Sequence, residues 1–379
     1  MPRLLKASAL GLLLAFAGLF FSFFQFVHEL EEDVGLGLLF KLRGPRPAPG
    51  DAVVVSIDKD SADQLGISEN PEKWPRALHA RLVDVLSKAG AAVVTFDVHF
   101  LEPRVEKDDR LFAEALRRAG NVVLSDPMTA REIGTSPDGG SSGPEHSIVK
   151  IVKPLPMFAE SAVATAPFVL PRIPFKVNQY WTFQTEGGLS PPPTFPIVAY
   201  QLFCAPAFGE FVRLLEKLRP SLAGRLPQGL DEPIKSKGVG KLMRDIKTIF
   251  ERDPVLGGQM IEELQRSSAG SKAQRLLATL VNLYGGPNRR YLNYYGPPRT
   301  VTTIPYYRAL QPGEGGGSAG PIDFKGKAVF VGLSERILAE RKDSFYTVFS
   351  RADGVFIGGV EIAATAFLNL LEDKPVQPI

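Results

Sequence analysis

The 379-residue chain has one cysteine, Cys204. That excludes an internal disulfide and a Cys-based zinc site. Four histidines are too few for a multi-histidine metal centre. Charge of either sign is not in excess: Lys and Arg number 44 against 41 Asp and Glu, a net +3. A dedicated nucleic-acid binder concentrates basic charge on one face, so no nucleic-acid partner is expected. The common catalytic signatures are missing, with no H-E-x-x-H and no G-x-S-x-G. Gly320–Lys327 spaces its glycines one residue too widely for a phosphate loop, and Ala328 stands where Ser or Thr would bind magnesium. The glycines of 313–320 do not sit between a strand and a helix, so they form no dinucleotide fingerprint. No cofactor is expected, and the chain reads as a non-catalytic one. Asn-x-Ser/Thr acceptors are absent too, which fits a bacterial source.

One long apolar run is present. Ala7–Val27 holds 21 residues without a charge, and a helix rising ~1.5 Å per residue would span about 30 Å, one bilayer core. Arg3 and Lys6 precede it, and Glu29, Glu31, Glu32 and Asp33 follow. Positive charge stays cytoplasmic, so the N-terminus is expected inside and the bulk outside. The run is too long for a signal peptide and ends in Phe-Phe-Gln-Phe-Val without a small-x-small cleavage site. Residues 1–28 are therefore read as a cytoplasmic start and uncleaved anchor in the plasma membrane. Residues 29–379 are read as one extracytoplasmic body.

That body alternates strands and helices. A helix over Glu29–Leu42 is expected to carry Leu30, Val34, Leu38 and Leu42 on one stripe. Ala52–Ile57, Ala91–Phe96, Asn121–Ser125 and Ala328–Val331 are short β-branched runs, the pattern of buried parallel strands. Helices are expected after the first two, one with Leu78, Leu82, Val85 and Leu86 inward. The other carries Leu111, Phe112, Ala115 and Leu116, with Asp108–Asp109 as its cap. A last helix covers Gly359–Asp373. The fold class is thus α/β, a mostly parallel sheet with flanking helices. Residues 205–290 interrupt it as a helical insertion with 15 Lys and Arg against nine Asp and Glu, a net +6. This charge is either a solvated face or a contact for anionic lipid or an acidic partner. A short helix is expected near 196–204, and Cys204 in its apolar run reads as core.

Candidate chemistry lies at the strand ends. Asp58 and Asp97 each close a predicted parallel strand, where ligands meet open α/β sheets. Were the two strands neighbours, the carboxylates could hold a hard cation, making them the metal candidates. The alternative is capping of the following turn or helix, Asp58 with Ser61. Trp74, Arg76 and His79 form the second group: a stacking wall, an anion ligand and a titrating group, or else a packed Trp and a paired Arg. Asp343 and Glu361 are further acids near the last strand, with Glu361 in the first turn of the last helix.

Several blocks in order resemble the CHASE domain of the second type, an extracellular sensory domain. They are Phe40-Lys41-Leu42-Arg43-Gly44, Ile57-Asp58, Trp74-Pro75-Arg76 with His79-Ala80, Ala89-Gly90-Ala91 to Phe96-Asp97 with Phe100, Asp109 to Ala115, and Ala119–Leu124. Asn293-Tyr294-Tyr295-Gly296-Pro297-Pro298, Lys325-Gly326-Lys327 with Val331-Gly332, Asp343, Phe349-Ser350 and Gly359-Val360-Glu361-Ile362 follow. The blocks bracket residues 35–375. Ala363 stands where the family often has His. The resemblance implies a ligand-sensing module of bacterial transmembrane receptors, joined to an adenylate or guanylate cyclase, a histidine kinase or a serine/threonine kinase. No effector lies in these 379 residues. A small-molecule or ion ligand is expected near Asp58, Trp74, Arg76, His79 and Asp97, and a homodimer is expected to transmit its binding. The rival readings are a membrane-anchored envelope scaffold and a metal-dependent hydrolase built on Asp58 and Asp97.

Overall fold

A computed structural model gives the fold. It describes residues 35–132, 147–170, 176–184, 191–266, 272–312, 322–335, 344–350 and 356–376, with a few positions among the first 16. At its centre lies a six-stranded sheet in which every pairing is parallel. The strands are β1 (Ala52–Ile57), β2 (Val93–Asp97), β3 (Val122–Asp126), β4 (Ala164–Pro167), β5 (Thr303–Pro305) and β6 (Ala328–Leu333). Their order across the sheet is β4-β3-β2-β6-β1-β5. The four interior strands are the continuous β-branched runs, as expected for strands covered on both faces. The two edges carry no such run. β4 and β5 have four and three residues and end in proline, which cannot donate to a ladder and suits an edge.

Alternation along the strands divides the core. Val53, Val55, Ile57, Val94, Phe96, Val329 and Val331 face one layer. This layer holds α2 (Lys59–Leu65), α3 (Arg76–Lys88), α4 (Glu106–Ala119) and α10 (Tyr306–Ala309). Ala52, Val54, Val93 and Phe330 face the other, formed by α5 (Phe195–Phe203) and α11 (Gly359–Glu372). All nine residues of α5 are buried, hence a run apolar all round. Between them in sequence lie α6 (Ala205–Leu218), α7 (Val239–Arg252), α8 (Leu256–Arg266) and α9 (Lys272–Gly285). Phe211, Phe250 and Tyr284 stack at their centre. α9 packs on α11, so the helical block shares one apolar core with the second layer.

One local expectation is sharpened and one is corrected. Helix α1 (Leu36–Arg43) buries Gly37 and Phe40, whereas Leu38 and Leu42 are 55% and 75% exposed. The Phe40 ring packs edge-on against Tyr294 and Phe349, and that contact orients the helix. Leu30 and Val34 lie outside the described residues. Asp109 does not cap α4, which begins at Glu106. It sits in the first turn, buried, accepting the Arg104 amide at 2.8 Å and facing Arg76.

No single helix among the described residues is long and apolar enough to cross a membrane. Most of Ala7–Val27 lies outside them. α5 and α6 reach that length only together, bent by 85°, and α5 is core.

Candidate functional site

The connections define where a ligand would meet this sheet. The chain leaves β1 and β2 toward the α3–α4 layer, and leaves β6, which lies between them, toward α11 in the opposite layer. The carboxyl end of β6 is therefore a topological switch point, with α11 rising on one side and the β1 and β2 loops on the other. Register places Asp97 opposite Gly332, and Ile57, just before Asp58, opposite Leu333. Asp58 and Asp97 thus flank β6 instead of lying on neighbouring strands. The condition on which a direct carboxylate pair was expected, adjacent strands, is therefore not met. Among the described residues, no three His, Cys, Asp or Glu are grouped to hold a metal.

Asp58 is the N-cap of α2. Its Oδ1 accepts the Ser61 amide at 2.9 Å and the Ser61 hydroxyl at 2.6 Å. Its Oδ2 accepts the Ser56 hydroxyl at 2.6 Å and Arg299 Nη2 at 3.1 Å. Arg299 was not singled out from the sequence. Its signal was there, a basic residue directly after Gly-Pro-Pro and before an edge strand. It holds a left-handed backbone, φ 66°, unusual for a residue with a Cβ and costing of order 1–3 kcal/mol. That conformation aims both its amide and its side chain inward. The amide donates to Glu361 Oε2 at 2.6 Å, and the guanidinium also reaches Ser334 O at 3.3 Å. Ser334 Oγ donates to Glu361 Oε1 at 2.6 Å. Burial pushes the Glu361 carboxyl above its ordinary range, while these donors and Arg299 pull the other way. Glu361 lies in the first turn of α11, where the helix dipole also favours a negative charge. Asp97 faces the same helix start. A Cβ on Gly359 would stand 3.5 Å from its Oδ2. Asp58, Asp97 and Glu361 therefore surround one strand end, and Arg299 and Ser334 tie Asp58 to Glu361.

Trp74, Arg76 and His79 come together as a second group, deep in the α3–α4 layer. Trp74 is fully buried and donates from Nε1 to Ser68 O at 2.8 Å. His79 stacks on it, 6.4 Å between ring centres, and meets Phe96, Phe100 and Phe112 edge-on or tilted. Nδ1 of His79 lies 2.9 Å from the Tyr306 hydroxyl. Burial, reinforced by the Arg76 and Arg104 charges, pushes the His79 pKa down to about 3, so it stays neutral at ordinary pH. Arg76, 2% exposed, lies over the Phe158 and Phe100 rings at 4.8 and 5.3 Å and donates to Glu102 O at 2.7 Å. It approaches the Asp109 carboxylate at 3.3 Å. Burial outweighs that partner and lowers the Arg76 pKa to about 10. These three are thus placed as core groups with partners of their own. Asp343 lies outside the described residues.

Two further polar features complete the picture. Asp126, closing β3, is buried and salt-bridged to Lys153, and burial raises its pKa. The Cys204 thiol, buried beside Tyr200, is pushed up to about 12 and is inert. A shallow groove of about 400 Å3 lies on the outer face of α3 and α4, between Ala77, Arg81, Lys88 and Leu111. None of the candidate ligand residues lines it.

A doubly covered parallel sheet, with a network of charged and hydroxyl groups at its switch point, defines an α/β module. The CHASE2 domain model matches residues 10–379, and the chain belongs to that family. CHASE2 domains are extracellular sensory domains of signalling receptors, not catalytic ones. No curated protein and no solved structure matches the chain.

Proposed function

We propose that this chain is the extracytoplasmic ligand-sensing part of a bacterial transmembrane receptor, anchored by residues 7–27 with its N-terminus in the cytoplasm. It takes a small molecule or ion at the carboxyl end of β6 and passes a conformational change to a cyclase or kinase effector. The observation that carries this reading is the Asp58–Arg299–Ser334–Glu361 network. It joins the end of β1, the end of β6, the start of α11 and the loop before β5 through charged and hydroxyl groups. A ligand bearing carboxylate, phosphate or ammonium groups would compete for these bonds, and α11 and α2 would respond. Differential binding of this kind shifts a two-state equilibrium. That β6 lies between the strands of Asp58 and Asp97 weighs against the hydrolase alternative.

Thermal unfolding of the full chain in nanodiscs tests the reading. The probes are magnesium, calcium, inorganic phosphate, di- and tricarboxylates and polyamines. A probe at ~100 times its dissociation constant adds about 2.7 kcal/mol, a shift of a few degrees for a body of this size. The shift should vanish in Arg299→Ala and weaken in Asp97→Asn. A shift undiminished in both variants places the ligand elsewhere. No shift with any probe favours the scaffold reading.

A further inference from the structure

We propose that Asn293–Arg299 is a stiff strut that couples the switch point to the membrane-proximal end of the domain. The segment, Asn-Tyr-Tyr-Gly-Pro-Pro-Arg, touches both ends of α11. At the switch point, the Arg299 amide holds Glu361 and its guanidinium holds Asp58. At the other end, the Asn293 amide donates to Asn369 Oδ1 at 2.8 Å, and Asn369 Nδ2 returns a bond to Asn293 O at 3.1 Å. The Tyr295 hydroxyl donates to Glu372 Oε2 at 2.8 Å. Glu361 and Glu372 are eleven positions apart, about 16 Å along a helix.

That far end is also where the chain arrives from α1. The Arg46 amide donates to Tyr295 O at 2.7 Å, and its guanidinium lies 4.3 Å over the Tyr295 ring while bonding Glu372 Oε1 at 3.0 Å. Arg43 Nη1 donates to Asn293 Oδ1 at 2.6 Å. Residues 43–46, 293–295 and 369–372 thus form one clasp, joining the entrance of the domain to its last helix. The strut between clasp and switch point has little freedom. Pro297 and Pro298 fix two successive φ angles. Gly296 is so closely held that a Cβ would stand 2.6 Å from Thr300 Oγ1 and 3.1 Å from Pro45. Tyr294 and Tyr295 are buried. A seven-residue segment pinned at both ends and stiff between them transmits a displacement at one end to the other. Neither end need be a ligand contact, so the coupling stands apart from the identity of any ligand.

Amide hydrogen exchange on the full chain tests this without a ligand. In Asp58→Asn, the Arg46 and Asn293 amides should exchange about tenfold faster, because local opening at one end is linked to the other. The Val94 amide, in the sheet interior and bonded to Asn121 O, should stay within about twofold. Asp126→Asn, at the end of β3 outside the strut, should leave the clasp amides unchanged. Reciprocity requires the converse: Glu372→Gln, at the partly exposed far end, should quicken the Arg299 amide by a similar factor. If Asp58→Asn loosens the whole molecule, so that Val94 quickens equally, the Glu372→Gln reading decides. Clasp amides unmoved by Asp58→Asn, or an Arg299 amide unmoved by Glu372→Gln, would overturn the strut.

Discussion

Burial changes what His79 can do. In the sequence it was a titrating group. In the fold it is a neutral ring locked between Trp74, Phe96 and the Tyr306 hydroxyl. Its pKa falls from 6.5 to about 3, so the folded state binds fewer protons than the unfolded one between these values. The contribution is fully present above about pH 6.5 and is lost as pH falls, by up to about 1.4 kcal/mol per pH unit. Glu361 works the other way: its raised pKa gives stability below its unfolded value that is lost as pH rises through the folded one. Urea unfolding from pH 7 to 4.5 should show His79→Gln losing about one proton of slope. An unchanged slope would mean that the ring is already protonated in the fold. Arg76 and Asp109 face each other at 2% and 3% exposure, and removing one partner strands the other charge. Asp109→Ala should cost about 3–5 kcal/mol in the same measurement, far above an exposed pair such as Arg118–Asp84. The sequence left both readings of this group open, a packed Trp with a paired Arg among them, because Trp-Pro-Arg-x-x-His looks the same whether its side chains face solvent or Phe158. The capping role of Asp58 was legible, since Asp two residues before a polar turn with Ser61 has one obvious local duty.

At the scale of elements, the interior strands and α11 could be read directly, since a strand covered on both faces must be apolar throughout. The edge strands carry no periodicity, since they are three or four residues ending in proline, and repeated proline is their one local mark. The stripe along α1 holds for Leu38 and Leu42, but which way it faces could not be read. Periodicity names an apolar face, but Phe40 found the ring partners and turned Leu38 and Leu42 outward. The switch point itself depended on β6 inserting between β1 and β2, a long-range fact that no local pattern holds. Its geometry makes a sharp demand at Gly332. A Cβ there would stand 2.8 Å from Val360 Cβ and 3.1 Å from Asp97 Cβ, backbone-anchored atoms that cannot swing aside. Gly332→Ala should therefore cost about 1–3 kcal/mol by overpacking, and should push α11 from β6. In a thermal melt, Gly50→Ala, which meets nothing within 4 Å, provides the control. Equal effects of the two would contradict close seating of α11 on β6.

At the scale of the molecule, the proposed receptor must join a ligand to the membrane. The CHASE2 assignment covers residues 10–379, and the clasp of Arg43 and Arg46 on α11 gives that connection a physical form. Leu38, Leu39 and Leu42 are exposed on α1, the apolar surface through which the proposed homodimer would form. Leu42→Cys in native membranes should form a covalent dimer under mild oxidation, with Cys204 buried and silent. A monomer under the same conditions would argue against that interface. The most direct test of the sensor reading is hydrogen exchange over the whole chain, with and without the probe that raises the melting temperature most. Protection is expected at 56–61, 97–99, 299–300, 332–334 and 358–361, the segments that meet around β6. Protection confined to the 205–285 helices, with these segments unchanged, would contradict ligand binding at the switch point.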